Sequence, residues 1–318
     1  MPRLYDCFTF YNELDLLEIR LHELAPVVDR FVLCESTVTF RGKPKPLHFK
    51  DNQARFAPFL DKIIHVVVDD MPSGRDIEAV YWKKQKFQRN AIRRGLRYAV
   101  PDDLVLLSDL DEIPRASAVE SVARHAGPPT VFSFEMSDHR LYVNLGRKNS
   151  WNKARMARFG DIRTLEKLRA GGPTWWPKQR RVFATLRQWK RMSLGMRRLR
   201  PWVVIRDSGW HFSYMNGPEV LADKFQAVSA VRSDSQVNPA ALSLKIKDAL
   251  ASAARPNQEA GFHLIEDNGE FPAHLAANQA RFSNLIADRQ TFEYYGVEPP
   301  PIATSGSNGQ RTPADRPS

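Results

Sequence analysis

Between residues 104 and 114 the chain reads LVLLSDLDEIP, which places Asp109, Asp111 and Glu112 directly after an apolar run. Carboxylates this close repel and raise one another's pKa values unless a cation or hydrogen-bond donors answer them. Alternate residues of a strand share a face, so Asp-x-Asp at a strand end turns both carboxylates to one side. Hard oxygen ligands of this kind select Mg²⁺ or Mn²⁺, and such an ion normally holds phosphate oxygens as well. The alternative is a helix N-terminus, with Asp111 as the cap and Glu112 favoured by the helix dipole ahead of Pro114. Capping needs one acid, and the segment has three.

The acids need elements to hold them. LYDCFTF (4–10), RFVLCES (30–36), KIIHVVV (62–68) and DLVLLS (103–108) read as strands from their β-branched and apolar content. NELDLLEIRLHEL (12–24) sets Leu14, Leu17, Leu21 and Leu24 on one helical stripe, and a long helix is expected over about 78–99. Strands alternating with helices predict an α/β fold, a doubly wound and mostly parallel sheet flanked by helices with a helical C-terminal part. Ligands of such sheets bind beyond the carboxyl ends of the strands, where the acidic triplet lies. One domain is expected over 1–298, with a nucleotide-binding half (1–114) and an acceptor and C-terminal half (115–298). The Pro-, Ser- and Gly-rich stretch 299–318 is expected to be a disordered tail.

Of 318 residues, 47 are Lys or Arg and 36 Asp or Glu, a net charge of +11. The stretch from Lys167 to Arg206 holds twelve Lys and Arg and no acid, so it carries the whole excess. Such a block suits an anionic membrane surface, a phosphorylated substrate or nucleic acid, and is equally consistent with solvated surface. No charged-then-apolar leader and no run of about 18 apolar residues marks the chain for export or membrane spanning, so a cytoplasmic place is expected, peripheral at the inner membrane face. Cys7 and Cys34 each fall inside an expected strand, which argues for core packing.

Five blocks then carry a resemblance: FTFYNELDLLEIRLHEL, FVLCESTVTFRGKPKPLHF, QRNAI, LLSDLDEIP and GWHFSYMNGPEVLADKF. In order, over residues 4 to about 231, they resemble glycosyltransferase family 17. The resemblance implies a GT-A type fold and an inverting transfer from a UDP-sugar, N-acetylglucosamine being the expected sugar, to a glycan or lipid-linked saccharide. It also implies a divalent metal, Mn²⁺ or Mg²⁺, with no nucleic-acid partner. Asp109 and Asp111 match the family's metal-binding Asp-x-Asp, with Glu112 supporting them. Glu35, Arg89 and Asn90 match positions expected at the nucleoside or donor sugar, and His211 of SGWHFS (208–213) matches a Trp-His pair expected to reach the metal or a diphosphate oxygen. His211 is equally consistent with a packed core residue, Glu35 with a loop acid and Arg89 with a surface helix position.

Inverting transfer needs a general base for the acceptor hydroxyl. Glu219 and Asp234, with Lys224 between them, are the acids that fit the family pattern, and Glu219 after Gly217-Pro218 also suits a first helical turn. Ala230 and Arg232 stand where His and Glu are expected, a departure that leaves a further ligand in doubt. Two other classes remain: a haloacid-dehalogenase phosphatase with Asp109 as nucleophile, and a non-enzymatic polyanion-binding protein. Ile113 two residues after the second Asp, and the strands that precede the motif, count against the first.

Overall fold

The computed structural model describes residues 2–73, 77–125, 130–171, 202–228, 238–255, 261–266 and 269–300. Asp234, the departures at Ala230 and Arg232, residues 172–201 of the basic block and the tail from 301 lie outside them.

The N-terminal half builds the parallel part of the sheet. β1 (Leu4–Phe10) is followed by α1 (Leu14–Leu24), β2 (Arg30–Ser36), the short α2 (His48–Asp51), β3 (Ile63–Val68), α3 (Ile77–Ala91) and β4 (Leu104–Asp109). The strands lie in the order β3-β2-β1-β4, each parallel to its neighbour. Alternation sorts their side chains. Phe8, Phe31, Leu33 and Leu106 pack with Leu16, Leu17 and Leu21 of α1 on one face. Cys7, Val32, Cys34 and Leu107 pack with Ala91, Ile92 and Leu96 on the other. Fully burying a Leu or Phe contributes about 1.5–3 kcal/mol, so the two faces together pin every strand register. Both cysteines are free thiols in the second cluster, and burial pushes Cys34 up to about 12.

The helix expected to reach residue 99 ends at Ala91 and continues as a 3-10 segment, Ile92–Leu96. Gly95 there lies so close to the sheet that a Cβ would meet Val32 Cγ1 at 2.4 Å. The chain must press flat against β2, and a tighter turn achieves this.

After β4 come β5 (Glu112–Pro114), α4 (Ala116–Ala123), β6 (Val131–Arg140), β7 (Leu145–Arg158), α5 (Leu165–Ala170), β8 (Trp202–Ile205) and β9 (Gly209–Ser213). The sheet continues β4-β7-β6-β9-β5, with β7 antiparallel to β4 and β6, and β5 antiparallel to β9. α6 (Gly217–Val228), α7 (Pro239–Ala253), β10 (Phe262–Leu264), α8 (Ala273–Ala277) and α9 (Arg289–Tyr294) complete the described chain. The α/β class, the mostly parallel sheet flanked by helices and the helical C-terminal part are as expected. Among the described residues no helix is long and apolar enough to cross a membrane.

Candidate active site

Alternation along β4 divides its last two residues between opposite faces. Ser108 meets Arg20 of α1, while Asp109 meets Arg89 of α3 and Arg169 of α5. Arg20 is fully buried. It forms a two-nitrogen pair with Asp6, at 2.8 and 2.6 Å, and its Nη1 donates to the carbonyls of Asp109 (3.2 Å), Leu110 (3.3 Å) and Glu112 (2.7 Å). A single guanidinium thereby fixes the backbone of the loop that carries both acids. The sequence reading overlooked it. The available signal was an Arg between Ile19 and Leu21 in an apolar helix, with an Asp in the middle of the preceding strand.

Glu112 is buried and saturated. Its two oxygens accept from Arg169 (2.5 Å each), from Trp151 Nε1 (2.5 Å) and from the Asp109 amide (3.1 Å). It supports the site rather than facing a ligand. Arg169 also pairs with Asp109 at 2.7 Å, and Arg89 lies 3.4 Å from the same carboxylate while holding Glu166 at 2.5 Å. Burial alone would raise the Asp109 carboxyl, but Arg169 and Arg89 outweigh it and hold the group down to about 2. Arg169 belongs to the basic block expected to face an anionic membrane, a phosphorylated substrate, nucleic acid or solvent. That expectation fails for this residue, which lies buried against the acids and is closed to an outside polyanion.

Asp111 behaves differently. Burial is the main reason its carboxyl is raised, opposed by Lys224 and His211 and reinforced by Asp109 and Glu112. Its near cation is Lys224 of α6, at 3.7 Å, and that ammonium is held at 2.7 Å by Glu13. Burial would lower Lys224, yet Glu13 and Asp111 raise it above the ordinary range, so it stays charged. Tyr11, Lys45, Tyr81, Arg89, Asp111 and Lys224 help enclose a cleft of about 180 Å³ at the carboxyl ends of β1, β2 and β4. This is the location expected of a ligand site in such a sheet.

His211 sits on β9 directly opposite Glu112, and its imidazole stacks on Trp151 at 4.2 Å. Gly209 makes this pairing possible: with φ at 150°, a Cβ there would stand 2.2 Å from the Ile113 carbonyl oxygen. His211 Nδ1 lies 3.2 Å from Asp138, and although burial lowers its pKa, Asp138, Asp111 and Glu112 raise it overall. The ligand atoms of Asp109, Asp111 and His211 do not converge to one point. Among the described residues the group whose ligand atoms lie within 4.8 Å of one another is Glu18, His22 and His274. Cations already serve that group. Arg281 and Arg55 hold Glu18 down to about 2 against its burial, and the two imidazoles stack at 3.5 Å.

The remaining candidates separate. Arg89 lines the cleft. Asn90 is exposed and accepts from the Glu166 amide, tying α3 to α5 instead of facing a donor. Glu35 is fully buried behind the wall, with its carboxylate taken by Lys45 (3.2 Å), His65 (3.2 Å) and the Phe49 amide, so it reaches the cleft only through Lys45. Glu219 is exposed on the first turn of α6 and does not line the cleft.

Residues 1–169 match the family model for glycosyltransferase family 17. The chain belongs to glycosyltransferase family 17. Membership of that family argues against the haloacid-dehalogenase phosphatase reading. The chain is 33% identical over 140 residues to the β-1,4-mannosyl-glycoprotein 4-β-N-acetylglucosaminyltransferases of Rattus norvegicus and Homo sapiens. The match covers 42% of this family 17 chain and 26% of each relative, so it spans about a quarter of their length. Among solved structures, S. aureus TarS 1-349 aligns with 74% of this chain and 68% of its own at 12% identity and a TM-score of 0.34. The inositol-1-phosphate CTP transferase from T. maritima aligns with 73% of this chain and 98% of its own, also at 12% identity, with a TM-score of 0.32.

Proposed function

We propose that this family 17 chain transfers N-acetylglucosamine, with inversion, from UDP-N-acetylglucosamine to a hydroxyl of a glycan or lipid-linked saccharide, using Mn²⁺ or Mg²⁺. The observation that carries this reading is the cleft at the strand ends, lined by Asp109, which pairs with Arg169 and Arg89, and by Asp111, which pairs with Lys224. The names of the matched relatives support the sugar.

The donor set suits a divalent ion. Asp111 is a largely buried carboxylate with no hydrogen-bond donor among the described residues, its near cation standing 3.7 Å away. His211 has its Nδ1 occupied by Asp138, the usual support of a metal-bound imidazole, which leaves Nε2 for a ligand. Asp111 and His211 are the groups that would hold the ion, since Asp109 is paired with Arg169 and Arg89; a bound ion would supply positive charge to the diphosphate of the departing nucleotide. The chain's own cations share that work. Lys224, held charged by Glu13, and Arg89 present fixed positive charge in the cleft where the leaving group gains negative charge. Lys45, oriented by buried Glu35, adds a further donor on the β2 side.

Turnover tests the reading. Purified chain with Mn²⁺ and p-nitrophenyl β-mannoside as acceptor is expected to release nucleoside diphosphate fastest from UDP-N-acetylglucosamine among UDP-N-acetylglucosamine, UDP-glucose, UDP-galactose and GDP-mannose, and to stop when EDTA is added. Preference for GDP-mannose, or turnover indifferent to EDTA, would contradict it.

A further inference from the structure

Taking the proton from an acceptor hydroxyl requires a carboxylate that is ionised, reachable by the acceptor and not already committed to a cation. Most acids around the cleft fail one of these conditions. Glu13 is held by Lys224 at 2.7 Å, Asp109 by Arg169 at 2.7 Å, and Glu166 by Arg89 at 2.5 Å. Glu112 is buried with both oxygens occupied. Asp111 is the natural partner of the donor's metal.

Asp223 is reachable and pairs with no cation among the described residues. It is exposed on α6, one residue before the cleft-lining Lys224. The hydroxyl of Tyr11, a cleft-lining side chain from the end of β1, donates to Asp223 Oδ2 at 3.0 Å. No Lys, Arg or His among the described residues lies within ion-pair distance of Asp223, and its second oxygen, Oδ1, accepts no hydrogen bond from them. One oxygen is therefore positioned by the protein, and the other takes no hydrogen bond from the described residues. Asp51 of α2 is also exposed and makes no side-chain hydrogen bond to a cleft-lining residue among the described residues.

We infer that Asp223 is the general base of transfer, positioned by Tyr11, in place of Glu219 or Asp234. The inference rests on the glycosyl-transfer reading above. The acceptor oxygen attacks the anomeric carbon as its proton passes to Asp223 Oδ1. The bond from that carbon to the β-phosphate oxygen breaks, and UDP leaves with the electron pair. The proton on Asp223 is then lost to solvent.

The test compares wild type with Asp223→Asn, Asp223→Ala, Asp51→Asn and Glu219→Gln in the full chain, with UDP-N-acetylglucosamine, Mn²⁺ and p-nitrophenyl β-mannoside, or water where that acceptor is not used. Wild-type turnover tests the transfer reading itself; the ratio of each variant to wild type tests Asp223. Asp223→Asn is expected to lower kcat by about 10²- to 10⁴-fold with KM for UDP-N-acetylglucosamine unchanged. Sodium formate is expected to restore part of the rate to Asp223→Ala, because a small carboxylate fits the space left, while Asp51→Asn and Glu219→Gln stay at the wild-type rate. Since Asp223 is exposed, the melting temperature should not move. An Asp223→Asn enzyme within tenfold of wild-type kcat, a loss that formate does not relieve, or a larger loss in Glu219→Gln would overturn the assignment.

Discussion

Arg169 is the side chain whose removal should be felt most at the acids, because among the described residues it pairs with both Asp109 and Glu112. In Arg169→Ala, Glu112 keeps Trp151 and the Asp109 amide but becomes a buried charge without a counter-ion. Breaking a buried pair in this way costs about 3–5 kcal/mol, which urea unfolding at pH 7 would measure. The pH response has a definite sign. Folded Asp109 titrates at about 2, below the ordinary carboxylate value of about 3.9, so the unfolded chain takes up the proton first. The stabilisation is whole above about pH 4–5 and falls as pH drops toward 2. Arg169→Ala should flatten that acid limb, and a slope as steep as wild type would contradict the assignment. At this scale the sequence exposed Asp109 and Asp111 because an Asp-x-Asp at the end of an apolar strand sets two carboxylates on one side. It misled about Arg169, since a run of cations shows charge but not which member folds inward. It hid Asp223, whose meaning depends on Tyr11, 212 residues away.

The joint between α1 and β4 is the element-level device that holds the site. Arg20 satisfies Asp6 across the α1 face and three carbonyls of the acidic loop, and both side chains of the pair are wholly buried. Arg20→Met leaves Asp6 charged and unpaired, and is expected to cost about 3–5 kcal/mol. Adding Asp6→Leu removes the stranded charge and should recover most of the stability, because a packed apolar pair can replace a buried ionic one. Turnover should stay low in that double variant, since the carbonyls of Asp109, Leu110 and Glu112 have lost their donor. Urea midpoints read beside UDP release separate the two effects; a double variant as active as wild type would show that Arg20 only stabilises the fold. The elements that meet at this joint were legible. β1, β2 and the stripe of α1 announce themselves through apolar period, and the observed β1 and β2 have the expected bounds. β6 and β7 did not. β7 carries RKNSWNK through its middle, half-exposed and without alternation, so no hydrophobic period marks it as a strand.

Across the whole molecule, the cleft is assembled from both halves of the chain. The family match ends at residue 169, yet Lys224 and His211 come from beyond it and close onto Glu13, Asp111 and Glu112. Binding of a nucleotide sugar should therefore stabilise the described fold as a unit. A ligand at 100 times its dissociation constant adds about 2.7 kcal/mol to unfolding. The most direct measurement is the melting temperature of wild type and Asp111→Asn, each with and without UDP-N-acetylglucosamine and Mn²⁺. Removing a raised, buried carboxylate from beside Asp109 and Glu112 relieves repulsion, so ligand-free Asp111→Asn should melt at or above wild type. Wild type should gain several degrees when both ligands are present and much less with either alone, while Asp111→Asn should gain none. An equal gain in Asp111→Asn, or a wild-type gain that does not need Mn²⁺, would contradict the metal-assisted donor site.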